Sequence, residues 1–219
     1  MRHCTYVLCL LINSLCFAET TIYTVEIPGL HQKDSKGVYD IIIETGLSKE
    51  GLAKVRLYPP ARAQIEFSNC TDCCFSPANL NPDFYDYGSD VVVTEPMGIA
   101  KVYIFSPPGV FTVSGLDALK GKKVGIRHGM PYGKSFEQAG LDTQAVITIT
   151  SNIKKLKSKR IDYMVAYVPD AFDAFKLLKI EPFPYNADSP LAVHPDSMVC
   201  RGVKTSTIKV FDDYVKTLN

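Results

Sequence analysis

Residues able to do chemistry collect at the ends of short apolar runs in this chain. Arg127 closes the run Lys123 to Arg127, and a turn carrying Gly129, Tyr132 and Gly133 follows, with Ser135 to Ala139 suited to a helix. That order is strand, glycine-bearing turn, helix. In an open α/β sheet such a turn faces the ligand crevice, and the helix start offers unpaired N–H groups and a positive dipole end to an anion. Arg127 is therefore placed to pair bidentately with a carboxylate, or to stand as a solvated arginine at a strand end. Tyr132 either closes over a ligand or packs. A second rim is formed by Tyr167 and Asp170 on either side of Pro169, where Asp170 takes a ligand amine or caps the next helix. Equivalent positions earlier in the chain are Glu26 or His31 after the first strand, Tyr58 and Arg62 after the second, and Ser76 after the third.

The cysteines offer a second chemistry. Cys70, Cys73 and Cys74 cluster and Cys200 lies far downstream, while Cys4, Cys9 and Cys16 precede residue 19. Cys-x-x-Cys serves as a redox pair or as half of a zinc site. A thioredoxin-type pair belongs at a helix start after a strand, and zinc needs two further ligands at matching spacing; neither context is visible. The remaining readings are a structural disulfide, Cys70 with Cys73 or one of the three with Cys200, and plain buried thiols. Gly129 to Ser135 imitates a phosphate loop but has three residues between its glycines where the nucleotide motif has four. The sequence holds no His-x-Glu, His-Glu-x-x-His or Gly-x-Ser-x-Gly, and His3, His31, His128 and His194 are scattered. No cofactor, no metal and no enzymatic activity are expected.

The elements that position these residues follow from periodicity. Thr21 to Ile27 reads as a first strand and Gly37 to Thr45 as a helix with Val38, Ile41 and Ile42 on its apolar face and Gly46 as its stop. Ala53 to Tyr58 is the next strand, Pro59-Pro60 starts a helix that runs to Phe67, and Cys73 to Phe75 is a third strand. A long loop from Ser76 to Asp86 follows. Asp90 to Phe105 gives two extended runs kinked at Pro96. Beyond Arg127, Ala145 to Ile149 is a strand, Asn152 to Ser158 a basic helix capped by Thr150 or Ser151, Ile161 to Tyr167 a strand, and Pro169 to Leu178 a helix. Successive βα units imply a parallel sheet covered by helices. The last helix, Ser206 to Leu218, carries Ile208, Phe211, Val215 and Leu218 on one stripe.

Composition is that of an ordinary globular chain. With 219 residues, 46% hydrophobic, and a net charge of +1, one good core or two small ones can be buried, and nothing argues for nucleic acid or an anionic membrane. Residues 1–18 have the layout of a cleaved secretory leader: Arg2 and His3, an apolar run from Tyr6 to Ile12, and small residues at Cys16 and Ala18. The expected location is the periplasm.

Three stretches resemble the bacterial extracellular solute-binding proteins of family 3, the amino-acid-binding type of periplasmic receptor. Leu119 to Ile126 with Gly129, Tyr132 and Gly133 is similar to the opening of that family's second lobe. Lys159 to Ala166 is similar to its basic-Ile-Asp-Ala strand, and Tyr58 to Ala63 to the start of its first-lobe helix. The resemblance implies an α/β, two-lobed periplasmic-binding-protein-like fold, each lobe a mostly parallel sheet flanked by helices and joined by two crossing strands. The implied division is 1–18 leader, 19–95 first lobe, 96–184 second lobe, and 185–219 a return segment whose helix packs on the first lobe. Crossings are expected near Glu95 and Pro184, with Arg127 and Tyr132 pointing into the cleft between. The implied role is capture of a small polar solute, an amino acid or a small carboxylate or amine, by a monomer that hands it to an ABC permease or a membrane sensor. Two alternatives stand beside it: a disulfide or metal protein built on Cys70, Cys73 and Cys74, and a dehydratase of the kind some family relatives are, with Glu95 or Asp170 as general acid. One departure matters. Where the family shows Thr-x-x-Arg, the arginine taking an α-carboxylate, this chain reads Thr94-Glu95-Pro96-Met97, followed by no arginine through Lys101. An ordinary α-amino acid is thereby put in question.

Overall fold

The computed structural model describes residues 19–218; the expected leader lies outside the described residues. The first half of the chain lays down β1 (Thr20–Val25), α1 (Val38–Gly46), β2 (Ala53–Tyr58), α2 (Pro60–Ser68), β3 (Cys73–Ala78) and β4 (Val91–Val93). The second half continues with β5 (Gly98–Phe105), β6 (Lys123–Arg127), α3 (Lys134–Gln138), β7 (Asp142–Val146), α4 (Ile149–Lys157), β8 (Tyr163–Val168), α5 (Asp170–Leu177), β9 (Ala192–Arg201) and α6 (Thr205–Val215).

Two mostly parallel groups of strands result. In the first lobe β1 lies between β2 and β3, parallel to both, and in the second β6 lies between β7 and β8, again parallel to both. One strand serves both lobes. Residues Ala192 to Asp196 of β9 pair antiparallel with β5, whereas Ser197 to Arg201 pair with β3 and the tail of the strand also with β4. The hydrogen-bonded path β2-β1-β3-β9-β5-β8-β6-β7 is therefore unbroken, but it changes lobe within β9. The other crossing is the segment between β4 and β5. Pro184, where a return was expected, stays in the second lobe: its carbonyl accepts from Ser106 N–H at 2.8 Å. The return happens later, inside a strand that Pro195 and several polar residues hide from period-two reading.

Each lobe has its own core. Ile22, Val25, Ile43, Phe67, Phe75, Met198 and Phe211 are buried together in the first. The second lobe's sheet is covered on both faces, by Phe105, Ile153, Leu156 and Phe175 on one and by Val102, Ile104, Leu119 and Val124 on the other. Helix α1 turns a different face inward from the expected one, with Tyr39, Ile42 and Ile43 buried and Val38 and Ile41 more than half exposed. Its terminal Gly46 is set by close approach: a Cβ there would stand 2.8 Å from the Tyr214 ring of α6. Helix α4 begins earlier than its sequence suggests, because Thr148, not Thr150 or Ser151, caps it, accepting from Ser151 N–H. The expected stripe of α6 holds at Phe211 and Val215, while Leu218 is half exposed.

Disulfides join Cys70 to Cys73 and Cys74 to Cys200. Cys74 and Cys200 are direct cross-strand neighbours of β3 and β9, and their bond closes a loop of 126 residues, whereas the first bond spans 3. In the chain-entropy account a loop of this length contributes about 5 kcal/mol and the short one much less. Replacing Cys74 and Cys200 by alanine should therefore lower the urea-unfolding free energy well beyond the Cys70/Cys73 double replacement, and equal losses would contradict this.

Candidate functional site

Residues at the carboxyl ends of β1, β2, β6, β7 and β8, among them Glu26, Pro59, Arg127, Ile147 and Val168, come together where the two lobes face each other, as at ligand crevices in open α/β sheets. The lobes touch there at several points. Gln64 Nε2 on α2 donates to the Gly129 carbonyl at 3.0 Å, Lys134 N–H donates to the Asp83 carbonyl at 2.9 Å, and Arg127 Nη2 donates to the Glu26 carbonyl. Gly29 and Gly129, both with φ +77°, complete the closure. A Cβ on Gly29 would run into Asp173 of α5, and one on Gly129 would lie 2.5 Å from the Ala61 amide nitrogen. At Gly129 the neighbour is backbone, so a side chain there would spread the lobes, whereas at Gly29 the Asp173 carboxylate would have to swing aside.

Two cavities occupy the interface. The larger, about 400 Å³ and open, is lined by Glu26, His31 and Lys33 from one lobe and by Arg127, Thr148 and Thr150 from the other. The smaller is enclosed, about 20 Å³, and its walls include Phe75, Tyr85, Tyr167, Asp170, His194 and Asp196.

The buried side chains between them form a charged array. Arg127, 7% exposed, spends Nε on the Ile147 carbonyl and Nη2 on Glu26, leaving Nη1 without a partner. Asp170, the first residue of α5 and 2% exposed, has an unpartnered Oδ1. Burial pushes its carboxyl up to about 8, against the pull of Arg127, while Asp196 adds to the rise. Burial likewise raises Asp196 to about 7, opposed by the Tyr39 hydroxyl, which donates to Oδ2 at 2.9 Å. Asn79 orients His194: Asn81 N–H occupies Asn79 Oδ1, so the Asn79 amide donates to His194 Nδ1 and leaves Nε2 as an unpartnered N–H. Burial lowers the His194 pKa, keeping the ring neutral.

The remaining residues singled out from sequence are dispersed. The Tyr132 hydroxyl accepts from Arg127 N–H at 3.0 Å and its ring packs between Phe136 and Tyr167, so it braces the strand end from inside. The Tyr167 hydroxyl donates to the Pro131 carbonyl and the ring stands edge-on to His194. Ser76 and His31 are wholly buried and bonded to each other, Ser76 Oγ to His31 Nε2 at 2.9 Å, with His31 Nδ1 on Asp40 Oδ1 at 2.7 Å. Burial lowers the His31 pKa, so this is a hydrogen bond from a neutral imidazole. Tyr58 packs beside Tyr23, Arg62 pairs with Glu66 along the exposed side of α2, and Glu95 pairs with Lys216 at the first crossing, where Asp212 also accepts its backbone N–H. Helix α3 is five residues long and its leading amide is taken by Asp83, so the anion-binding helix start expected after Arg127 is not offered. Sequence patterning does not mark Tyr39, Tyr85, His194 or Asp196; the last two lie on β9, whose polar buried positions mask its period.

No protein-family model matches the chain, and neither does any curated protein. Solved structures do. The chain resembles the substrate-binding protein of an amino acid ABC transporter (14% identity, 92% of this chain and 93% of that one, TM-score 0.71). It also resembles a histidine kinase sensor domain with similarity to periplasmic binding proteins (14%, 91% and 90%, TM-score 0.73). A third likeness is to the GluR0 ligand-binding core from Nostoc punctiforme in complex with L-glutamate (15%, 91% and 92%, TM-score 0.73). At such identities the likeness establishes the two-lobed fold of these binding proteins, which the sequence motifs implied.

Two consequences can be measured. Substituting Gly129→Ala should hold the lobes apart, so small-angle scattering should give a larger radius of gyration than the parent; an unchanged radius would show that the contact with Ala61 does not limit closure. Asp170 and Asp196 bind their protons more tightly folded than unfolded, where the value is 3.8. Their contribution to stability is thus complete below roughly pH 4 and is lost as pH rises toward roughly pH 8. The Asp170→Asn variant should gain in melting temperature relative to the parent as pH goes from 5 to 8. A gap that stays constant would rule out the buried, proton-holding state of Asp170.

Proposed function

We propose that the protein is an exported receptor that captures a small polar solute between its lobes and closes over it by motion at its two crossings. The observation that carries this reading is the set of buried polar atoms without partners, Arg127 Nη1, Asp170 Oδ1 and His194 Nε2, gathered where the lobes meet. Unpaired buried groups each cost on the order of 1–3 kcal/mol, so a site that keeps them is one that a ligand completes. The fold supports the same reading, since its solved likenesses include binding proteins and a sensor domain. The two crossings, one between β4 and β5 and one inside β9, make the natural hinge, with lobe boundaries falling at them. The closed form is then what a membrane partner, an ABC permease or a sensor, reads, and the leader at residues 1–18 delivers the receptor to the periplasm.

The test is a thermal-shift screen of amino acids, small carboxylates and amines against the purified protein. A ligand at a hundred times its Kd adds about 2.7 kcal/mol of stability, which is several degrees for a chain of this size. If no compound of any class shifts the transition, the receptor reading fails.

A further inference from the structure

We infer that the end of the second lobe opposite the cleft is a docking surface for an anionic lipid bilayer, with Phe111 as the side chain that enters it. Phe111 is 94% exposed, more than any other large apolar side chain among the described residues, and Val110 beside it is 44% exposed. The loop that carries them is held in shape. Val110 N–H donates to the Pro107 carbonyl at 3.1 Å, with Pro108 and Gly109 (φ +77°) at the two central positions, the residues a type II turn favours there. Ser106, itself wholly buried, donates from Oγ to the Phe111 carbonyl at 3.0 Å and fixes the base of the loop. An aromatic ring is thereby set where it touches almost nothing of its own chain.

The net charge of +1 gives no hint of such a surface, but the fold distributes that charge unevenly. Ser106 follows Phe105, which is paired with Met164 near the start of β8. Lys123, at the start of β6, is bonded twice to Asp162 just before β8: its N–H donates to Oδ2 and its carbonyl accepts from the Asp162 N–H, both at 2.8 Å. The loop therefore stands at the end where β6 and β8 begin, opposite the carboxyl ends that face the cleft. Two turns, 120–123 and 157–160, lie at the same end. They bring Lys122, Lys123, Lys157, Lys159 and Arg160, all exposed, and none of the five has an ion-pair partner among the described residues. The carboxylates at this end are fewer and engaged: Asp117 pairs with Lys120 at 2.6 Å, Asp162 takes the Lys123 amide, and Asp142 accepts from Gln144. Asp188, on the other flank beside Asn186, which donates to Ser114, leaves the balance positive.

An aromatic tip beside unpaired lysines suits a bilayer and not a protein partner. Two adjacent apolar residues are too little for the core of a stable protein interface, where lysine is also depleted. A bilayer accepts the ring without needing a pocket, and lysine stems lie along it with their ammonium groups among the headgroup phosphates. Each of these charges gains attraction only where the lipid is anionic. Docking at this end leaves the cleft facing away from the lipid, so the inference stands apart from which solute the receptor captures.

The experiment is co-sedimentation of the purified protein with vesicles of phosphatidylcholine alone and of phosphatidylcholine mixed with phosphatidylglycerol. Binding to the anionic vesicles should be about ten-fold or more stronger than to the neutral ones and should weaken as salt is raised. Phe111→Ser, and separately Lys122→Glu combined with Lys159→Glu, should each lower it roughly ten-fold at an unchanged melting temperature, since all three side chains are exposed. The chain has no tryptophan, so the fluorescence of the Phe111→Trp variant reports on the tip alone and should shift to the blue on the anionic vesicles. The comparison of the two vesicle types needs no variant. No binding to the anionic vesicles, equal binding to both kinds, or binding that ignores Phe111→Ser and leaves the fluorescence unshifted would each overturn the inference. A Phe111-dependent dimer in sedimentation velocity without vesicle binding would overturn it too, by assigning the tip to a second copy of the chain.

Discussion

The structure depends on one strand belonging to two sheets. Over Ala192 to Asp196, β9 is bonded to β5 of the second lobe, and from Ser197 onward it is bonded to β3 of the first. A strand can change partners only where its ladder is interrupted, and Pro195, which lacks a donor, sits beside the change. The residues flanking that point have carbonyls and side chains aimed at other elements. Met97 N–H donates to the Asp196 carbonyl at 2.8 Å, Tyr39 donates to its carboxylate, and Asn79 donates to His194. The switch between lobes and the polar wall of the enclosed cavity are thus one feature. In the proposed receptor, rotation about this point would carry His194 and Asp196 relative to α1 and so couple contacts at this wall to lobe orientation.

The polar groups of the cleft oppose closure as much as they specify it. Where the lobes meet, Asp170, Asp196 and Arg127 lie out of water, and burial raises the pKa of both carboxyls. Hydrogen bonds between backbone and side chain across the interface, from Gln64, Lys134 and Arg127, offset part of the cost of that burial. Closure that is only partly compensated by the protein itself is the condition under which a bound solute shifts the balance, since a ligand moves an equilibrium only by its differential affinity for the two states.

How much of this was legible in sequence follows from what each signal encodes. The parallel strands were readable because they are short apolar runs between glycine or proline punctuation: β2 falls at Ala53 to Tyr58 as expected, and α2 starts at the Pro59-Pro60 pair. The two-lobed architecture came from order and spacing of motifs, since no single one was decisive. Helix α1 keeps its position but not its face, because Val38, Ile41, Ile42 and Ile43 spread apolar residues over more than half of its surface, and packing buries Tyr39, Ile42 and Ile43. Strand β9 was invisible because its buried positions include His194, Asp196 and Ser197, which serve the lobe junction and not an alternating core. Polar residues there erase the periodicity through which strands are detected, so the residues most central to the cleft were the ones least marked.

The buried chain Asp40, His31, Ser76 shows how far side-chain order alone can mislead. Its sequence of contacts, carboxylate to imidazole to hydroxyl at 2.7 and 2.9 Å, is the order of a proton relay that activates a nucleophile. A nucleophile must also meet its substrate, and Ser76 is wholly buried and lines neither interlobe cavity. The second oxygen of Asp40 accepts from the backbone N–H groups of Gln32 and Gly37, at 2.8 and 3.1 Å, so the carboxylate clasps the second half of the loop between β1 and α1. That loop carries Gly29, which receives α5 of the other lobe, and begins at Glu26, whose carbonyl receives Arg127. The network therefore stiffens the lip against which the second lobe closes. A rigid lip makes the distance between Arg127 and the first lobe reproducible, which is what the partner proposed above would need in order to tell a closed form from an open one.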